Sequence, residues 1–240
     1  MMRTAPPAPG QDMRGPDGPA GGGAGRAGHR GRGGRRGPAI AAVAYAALWL
    51  ALAVQPLDRS TWLLENALVV ALCVGVCVLR RWLRFSNAAL YMMLGFLALH
   101  AVGAHYTYSE VPYDAWWRAL TGHGLNEALG WRRNNYDRLI HFCYGLLFAV
   151  PIREFLLRVV EVRGFWSYFL PLDVTLSTSA LYELIEWAAA VFFGGDLGAN
   201  YLGMQGDQWD SHKDMALAAL GALLAMLFSA VRGRFRARRR

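Results

Sequence analysis

The sequence predicts an all-α protein, a polytopic bundle of about six transmembrane helices with both chain termini on the cytoplasmic side. The first observation is the composition, because 55% hydrophobic residues against 18% charged residues is too apolar for an ordinary soluble domain. The second is a series of apolar runs of about 20 residues, the length a helix needs to cross about 30 Å of hydrocarbon. The third is the position of the basic residues between those runs.

Each apolar run is assigned one span, in chain order. The predicted spans are Pro38–Pro56, Thr61–Leu79, Ala88–Tyr106, about Leu139–Leu157, about Pro171–Phe193 and Met215–Val231. The fourth has a short apolar core, because Asp137 and Arg138 precede it and Arg153 lies near its end. The fifth follows the aromatic run FWSYF, which is typical of a membrane interface, and has Pro171 in its first turn.

Basic residues are concentrated in alternate connections, which sets the predicted topology. They follow spans two, four and six, as Arg80, Arg81, Arg84, Arg153, Arg158, Arg163 and the closing run RGRFRARRR. Cytoplasmic loops carry the excess of Lys and Arg, so these connections are predicted to be cytoplasmic. The net charge of +8 is therefore explained by a membrane surface, without a nucleic-acid partner.

The chain divides into three predicted regions. Residues 1–37 are rich in Gly, Pro, Ala and Arg and lack apolar periodicity, so they are predicted to be a disordered basic tail. Residues 38–231 form the membrane domain, and residues 232–240 a basic cytoplasmic tail. The first tail is either a solvated segment or a tether to anionic lipid.

Ionisable residues inside the spans are the candidate functional residues. Asp137 and His141 lie four apart on one helical face of span four, and Glu183 and Glu186 lie three apart on one face of span five. Such groups are costly in hydrocarbon unless they have a partner or a water-filled cavity. The topology brings all four to the outer third of the membrane, so they are predicted to share one outward-facing polar site.

Further acidic and imidazole groups fall at the same predicted depth. Asp207, Asp210 and Asp214 follow span five at spacings of three and four, and they form an acidic stripe if that segment is helical. Glu65 in span two and His105 in span three are secondary candidates. Structural explanations stay open, since Asp137 with His141 can simply link two helices and Asp210 can cap span six.

Three sequence blocks resemble the YjdF-type family of bacterial inner-membrane proteins, whose members are mostly of unknown function. The blocks are YDRLIHFCYGLLFAVPIREFLLR, SALYELIEWAAAVFF and YLGMQGDQWDSHKDMALAALGA. They contain the family's spaced residues, here Asp137, His141, Phe142, Pro151, Tyr182, Glu183, Glu186, Trp187, Gly206, Asp207, Trp209, Asp210, Asp214 and Met215. Ser211, His212 and Lys213 depart from the family's pattern, and VanZ-like membrane proteins are more loosely similar. The resemblance implies a multi-pass protein of the bacterial inner membrane, without implying a reaction.

The candidate residues allow three functions. One is an enzyme that acts on a lipid or envelope substrate, in which Asp137, His141, Glu186, Asp207, Asp210 and Asp214 bind Mg, Mn or Zn, and Asp137, His141, Glu183 and Glu186 are catalytic. A metal-free version uses His141, oriented by Asp137, as general base. The second is a proton- or cation-coupled transporter with Glu183 and Glu186 as the relay. The third is a noncatalytic binding or assembly protein. Beyond a possible divalent metal ion the cofactor is left open, as is the oligomeric state.

Overall fold

The computed structural model describes residues 36–79, 85–195 and 204–238. Within these ranges all regular secondary structure is α-helical. The helices are α1 (Arg36–Ala53), α2 (Arg59–Leu79), α3 (Asn87–His105), α4 (Tyr113–Thr121), α5 (Leu125–Leu129), α6 (Tyr136–Arg158), α7 (Trp166–Phe193) and α8 (Asp210–Arg238). Most of the predicted basic tail at residues 1–37 lies outside the described ranges, as do Arg80, Arg81 and Arg84.

The all-α bundle of about six spans is confirmed. In the described part of the chain, the helices long and apolar enough to cross a membrane are α1, α2, α3, α6 and α8. The sixth predicted span corresponds to α7, which is long enough at 28 residues but contains two glutamates and several hydroxyl residues. The cytoplasmic placement of both termini stays a prediction.

Helix α7 is polar on its buried face and apolar on its exposed face. The buried residues are Thr175, Ser179, Glu183 and Glu186. Trp187, by contrast, is 60% exposed, and other apolar side chains of α7 have comparable exposed fractions. In water such a surface would be a large exposed apolar patch. In a bilayer it is the expected arrangement, because ionisable groups face the bundle interior.

Helix α6 lies at the centre of the bundle. It packs against α8 most extensively, and also against α3 and α7, while α7 also packs on α8 and both α1 and α2 pack on α3. Small residues line the α6–α8 contact, where Ala149, Ala222 and Ala225 are buried. Small side chains allow close approach of membrane helices, which gain little from the hydrophobic effect in lipid.

Three helices begin three or more residues before the predicted spans. Helix α6 begins at Tyr136, α7 at Trp166 and α8 at Asp210, before the predicted starts at Leu139, Pro171 and Met215. The prediction that Pro171 lies in the first turn of its helix was therefore wrong, because it falls in the second turn of α7. Helix α8 also continues to Arg238, so residues 232–238 of the predicted basic tail are helical. Hydropathy marks only the apolar part of a helix, whereas the backbone hydrogen-bond ladder continues through polar residues. As a result Asp210 and Asp214 lie in the first turns of α8.

Candidate functional site

Six of the predicted site residues lie on four helices that meet at one end of the bundle. Asp137 and His141 occupy the first two turns of α6, and Asp214 lies in the second turn of α8. Glu183 and Glu186 lie in the C-terminal half of α7. Glu65 is in the second turn of α2 and is 3% exposed. The structure thus brings these six side chains together, at the end that the charge pattern assigns to the outer side.

The close crossing of α6 and α8 fixes the distance between their functional residues. A Cβ added at Gly145 would overlap the Ala218 carbonyl oxygen and lie 2.8 Å from the Ala222 nitrogen. A Cβ at Gly221 would likewise lie 2.7 Å from the Leu146 nitrogen. Gly145 is one turn below His141, and Ala218 is one turn below Asp214. The contact made possible by glycine therefore brings the His141 imidazole close to the Asp214 carboxylate.

Asp137, His141 and Asp214 are close enough together to be candidate metal ligands. One ligand atom of each lies within 4.8 Å of the other two. Two ligands of a single ion can be separated by up to about 4.4 Å, twice a typical Zn–O bond length. A shared ion would therefore need at most a small inward movement of these side chains. His141 Nε2 lies 3.7 Å from Asp137 Oδ1, so the aspartate and the imidazole of α6 face the same point.

Glu183 and Glu186 extend the acidic group from the α7 side. Glu183 Oε1 lies 3.5 Å from His141 Nε2, and the Glu183 carboxyl group is within hydrogen-bonding reach of Ser211 and Glu186. The charged groups that act on Glu186 are Asp137, Glu183, Glu65 and Asp214. Five carboxyl groups and one imidazole therefore share one buried region, which needs protons or a cation to balance its charge.

Two carboxylate oxygens in this region lack a hydrogen-bond partner among the described residues. They are Glu183 Oε1 and Asp214 Oδ1. Glu183 is 9% exposed and Asp214 is 2% exposed. Buried polar atoms in native proteins are nearly always paired, so an unpaired one requires an explanation such as a bound ion.

Asp207 and Asp210 pair with basic residues at the edge of this group. Asp210 accepts two hydrogen bonds from Arg133, at 2.5 and 3.0 Å, and one from Arg138 at 3.2 Å. Asp207 pairs with Arg138 and accepts a hydrogen bond from Lys213 at 2.6 Å. The Lys213 ammonium, with the Trp209 amide and Arg138, lowers the pKa of Asp207 to about 2. These ion pairs connect the segment before α8 and the first residue of α8 to Arg133 and Arg138 beside the start of α6, so both carboxylates are already paired with cationic side chains.

The two histidines of α3 have separate partners. His105 Nδ1 lies 2.7 Å from the Leu52 carbonyl oxygen, so this secondary candidate links α3 to α1, away from the acidic group. His100 Nε2 faces the Glu65 carbonyl oxygen at 3.3 Å, and its Nδ1 lies 2.5 Å from the Tyr108 hydroxyl. A carbonyl can only accept, so Nε2 carries the proton and Tyr108 donates to Nδ1. Burial raises the pKa of Tyr108 well above its usual value, so it remains a donor.

An elongated cavity of about 370 Å³ opens beside the acidic group. Asp137, His141 and Tyr182 line it at one end, and mostly apolar residues of α2, α3, α6 and α7 line the rest, together with His100, Tyr108, Tyr144, Thr178 and Ser179. Tyr182 donates a hydrogen bond of 2.9 Å to Glu65 Oε2, which connects α7 to α2. Tyr182 and Tyr144, which also lines the cavity, were not among the predicted site residues. Their helical spacing could have placed them on the same faces as the site residues, because Tyr182 is four residues from Glu186 and Tyr144 is three residues from His141.

Comparison with known proteins agrees with the helical architecture. The family described as "Predicted membrane protein (DUF2238)" matches residues 37–234. "Inner membrane protein YjdF" of Escherichia coli (strain K12) is 42% identical over 179 residues, covering 72% of this chain and 79% of that protein. No solved structure matches. The predicted resemblance is confirmed, as is the location in the bacterial inner membrane, and the chain belongs to the DUF2238 family of predicted membrane proteins.

Proposed function

We propose that this protein is a divalent-cation-dependent membrane enzyme that acts on a lipid or envelope substrate. The observation that carries the proposal is that two buried carboxylate oxygens, Glu183 Oε1 and Asp214 Oδ1, accept no hydrogen bond from the described residues, while Glu183 Oε1 lies 3.5 Å from His141 Nε2. Asp137, His141 and Asp214 are the proposed ligands, because their ligand atoms lie within 4.8 Å of one another. The proposal drops Asp207 and Asp210 from the ligand set, since arginine and lysine neutralise them.

The donor set suits Mg, Mn or Zn. Carboxylates favour Mg and Mn, and an imidazole adds affinity for Zn and other transition metals. A cation also balances the charge of the five deep carboxyl groups better than the basic residues of the chain do. Among the described residues, the basic side chains at the edge of this region include Arg133 and Arg138. Both already form ion pairs there, Arg133 with Asp210 and Arg138 with Asp207.

The remaining acidic groups have proposed roles in hydrolysis. A bound divalent ion would polarise an acyl or phosphoryl oxygen and lower the pKa of a water molecule. Glu183, whose Oε1 lies 3.5 Å from His141 Nε2, is placed to accept a proton from that water. In a hydrolysis the hydroxyl group left from that water would add to the acyl or phosphoryl centre and the bond to the leaving oxygen would break, with Glu183 returning its proton to that oxygen. Glu186 lies one turn further along α7, within hydrogen-bonding reach of Glu183, and is proposed to orient it.

Metal content of the purified protein tests the site. Protein extracted in mild detergent is analysed by inductively coupled plasma mass spectrometry, and Mn²⁺ binding is followed by electron paramagnetic resonance. We expect about one ion per chain, lost in Asp214→Asn and His141→Ala and kept in the control His105→Ala, whose imidazole bonds to Leu52. Folded wild-type protein that binds neither endogenous metal nor Mn²⁺ would refute the site.

Activity on lipids tests the reaction. Wild-type protein in vesicles of bacterial lipid extract is incubated with Mg²⁺, Mn²⁺ or Zn²⁺, and products are identified by mass spectrometry. We expect a hydrolysis product that requires the ion and disappears in Glu183→Gln, which keeps the three proposed ligands. The contrary result would be proton or cation flux across the vesicle membrane that is abolished by Glu183→Gln, with no lipid product formed. That result would refute the enzyme and support the transporter function.

A further inference from the structure

The cavity beside the acidic group has the shape and polarity of a binding site for a lipid chain. Along α6 it is lined from Asp137 to Ile152, fifteen residues apart, which corresponds to about 22 Å at about 1.5 Å per residue. That length exceeds the half-thickness of the hydrocarbon core, about 15 Å. Beyond His141 this wall consists of Tyr144, Phe148 and Ile152.

The cavity is open to the bilayer on one side. Leu68 and Leu72 of α2 line it and are 39% and 36% exposed, and Thr178 lines it from α7 and is also exposed. Helix α2 packs on α3, whereas α7 packs on α6 and α8, so helix packing does not close the space between α2 and α7. At the polar end these two helices are joined by the hydrogen bond from Tyr182 to Glu65.

We infer that this cavity binds the hydrocarbon chain of a single-chain amphiphile, which enters from the bilayer between α2 and α7. The chain lies along Phe148 and Ile152, and an oxygen-bearing headgroup faces Asp137 and His141. A volume of about 370 Å³ is at the low end of the range of small-molecule sites, which suits one chain better than two. The inference rests on the proposed function for the headgroup end, whereas the chain end depends only on the cavity.

Photo-crosslinking tests chain binding. The probes are a palmitic acid with a diazirine in its chain and, separately, a two-chain phosphatidylethanolamine with the same group, each added to full-length protein in nanodiscs. Peptide mapping then locates the label. We expect the single-chain probe to label the segment 140–152 of α6 more strongly than the two-chain probe does.

A blocking variant and a matched control define the site. Thr178→Trp fills the opening and is expected to reduce labelling of residues 140–152 about tenfold, the effect of losing about two buried methylene groups. Leu181→Trp adds the same side chain to the same helix at an exposed position outside the cavity and should leave labelling unchanged. If Thr178→Trp does not fold, Leu72→Trp blocks the same opening from the α2 side and is expected to reduce the labelling of residues 140–152 to a similar extent.

The outcomes separate this inference from the proposed function. Asp214→Asn should lose the metal and keep the chain label, whereas Thr178→Trp should keep the metal and lose the label. Equal labelling of wild type, Thr178→Trp and Leu72→Trp would overturn the inference, even if metal binds. Stronger labelling of residues 140–152 by the two-chain lipid would overturn the single-chain assignment.

Discussion

Replacing Gly145 by alanine should weaken both the α6–α8 contact and the metal site. The added Cβ would lie 2.8 Å from the Ala222 nitrogen and closer still to the Ala218 carbonyl oxygen, whereas ordinary contacts are about 3.5–4.0 Å. Helix α8 must therefore move by about 1 Å. Overpacking of this kind costs about 1–3 kcal/mol of the free energy of unfolding. Metal–ligand distances tolerate only about 0.2 Å, so the displaced Asp214 should lower metal affinity at least about tenfold.

Gly95→Ala in α3 is the matched control, because no atom lies within 4 Å of its added Cβ. It isolates the gain in helix propensity, about 1 kcal/mol, that alanine brings. Unfolding in mixed detergent micelles gives the free energy, and Mn²⁺ titration by electron paramagnetic resonance gives the affinity. If Gly145→Ala is as stable as Gly95→Ala and binds Mn²⁺ as tightly, the packing argument is wrong. Lower stability with unchanged Mn²⁺ affinity would keep the packing argument and remove its link to the site.

Two further predictions concern the ion pairs at the rim of the site. Arg133→Met removes two of the hydrogen bonds to the buried Asp210 and should lower the free energy of unfolding by about 3 kcal/mol. The control Arg118→Met removes an exposed ion pair and should lower it by at most about 1 kcal/mol. Equal losses of stability in the two variants would contradict this reasoning. Because pairing with Lys213 lowers the pKa of Asp207 to about 2, its stabilisation is present above the unfolded pKa of about 3.9 and is lost as the pH falls through about 2. The melting temperature of Asp207→Asn should therefore lie below that of wild type at about pH 6 and converge with it at low pH; a difference independent of pH would refute this linkage.

The site residues were predictable where helical spacing and depth were enough. Asp137 with His141 and Glu183 with Glu186 are pairs within one helix, so spacing alone placed each pair on one face. Their shared end of the bundle followed from the order of the spans. The separation of Asp214 from Asp207 and Asp210 was not predictable, because it depends on where α8 begins and on which carboxylates Arg133 and Arg138 reach.

The cavity also required the tertiary structure. Its lining residues come from four helices, and the sequence does not state which faces of α2 and α7 leave a gap. Tyr182 appeared in the sequence only as part of the family's motif, and the packing showed that it lies beside His141 and lines the same cavity as Tyr144. His105 illustrates the converse, since its depth matched the site but its side chain points to Leu52 on α1.

The sequence by itself determined that this chain is a helical membrane protein with acidic and imidazole groups near one end of its bundle. That much follows locally, because hydrocarbon thickness sets the span length and the cost of burying charge makes each ionisable residue conspicuous. Only the tertiary structure decided which carboxylates meet His141. That choice depends on a backbone contact at Gly145 and Gly221 between segments distant in the chain. Small residues four apart can mark a face for close packing, but they do not specify which other helix that face meets.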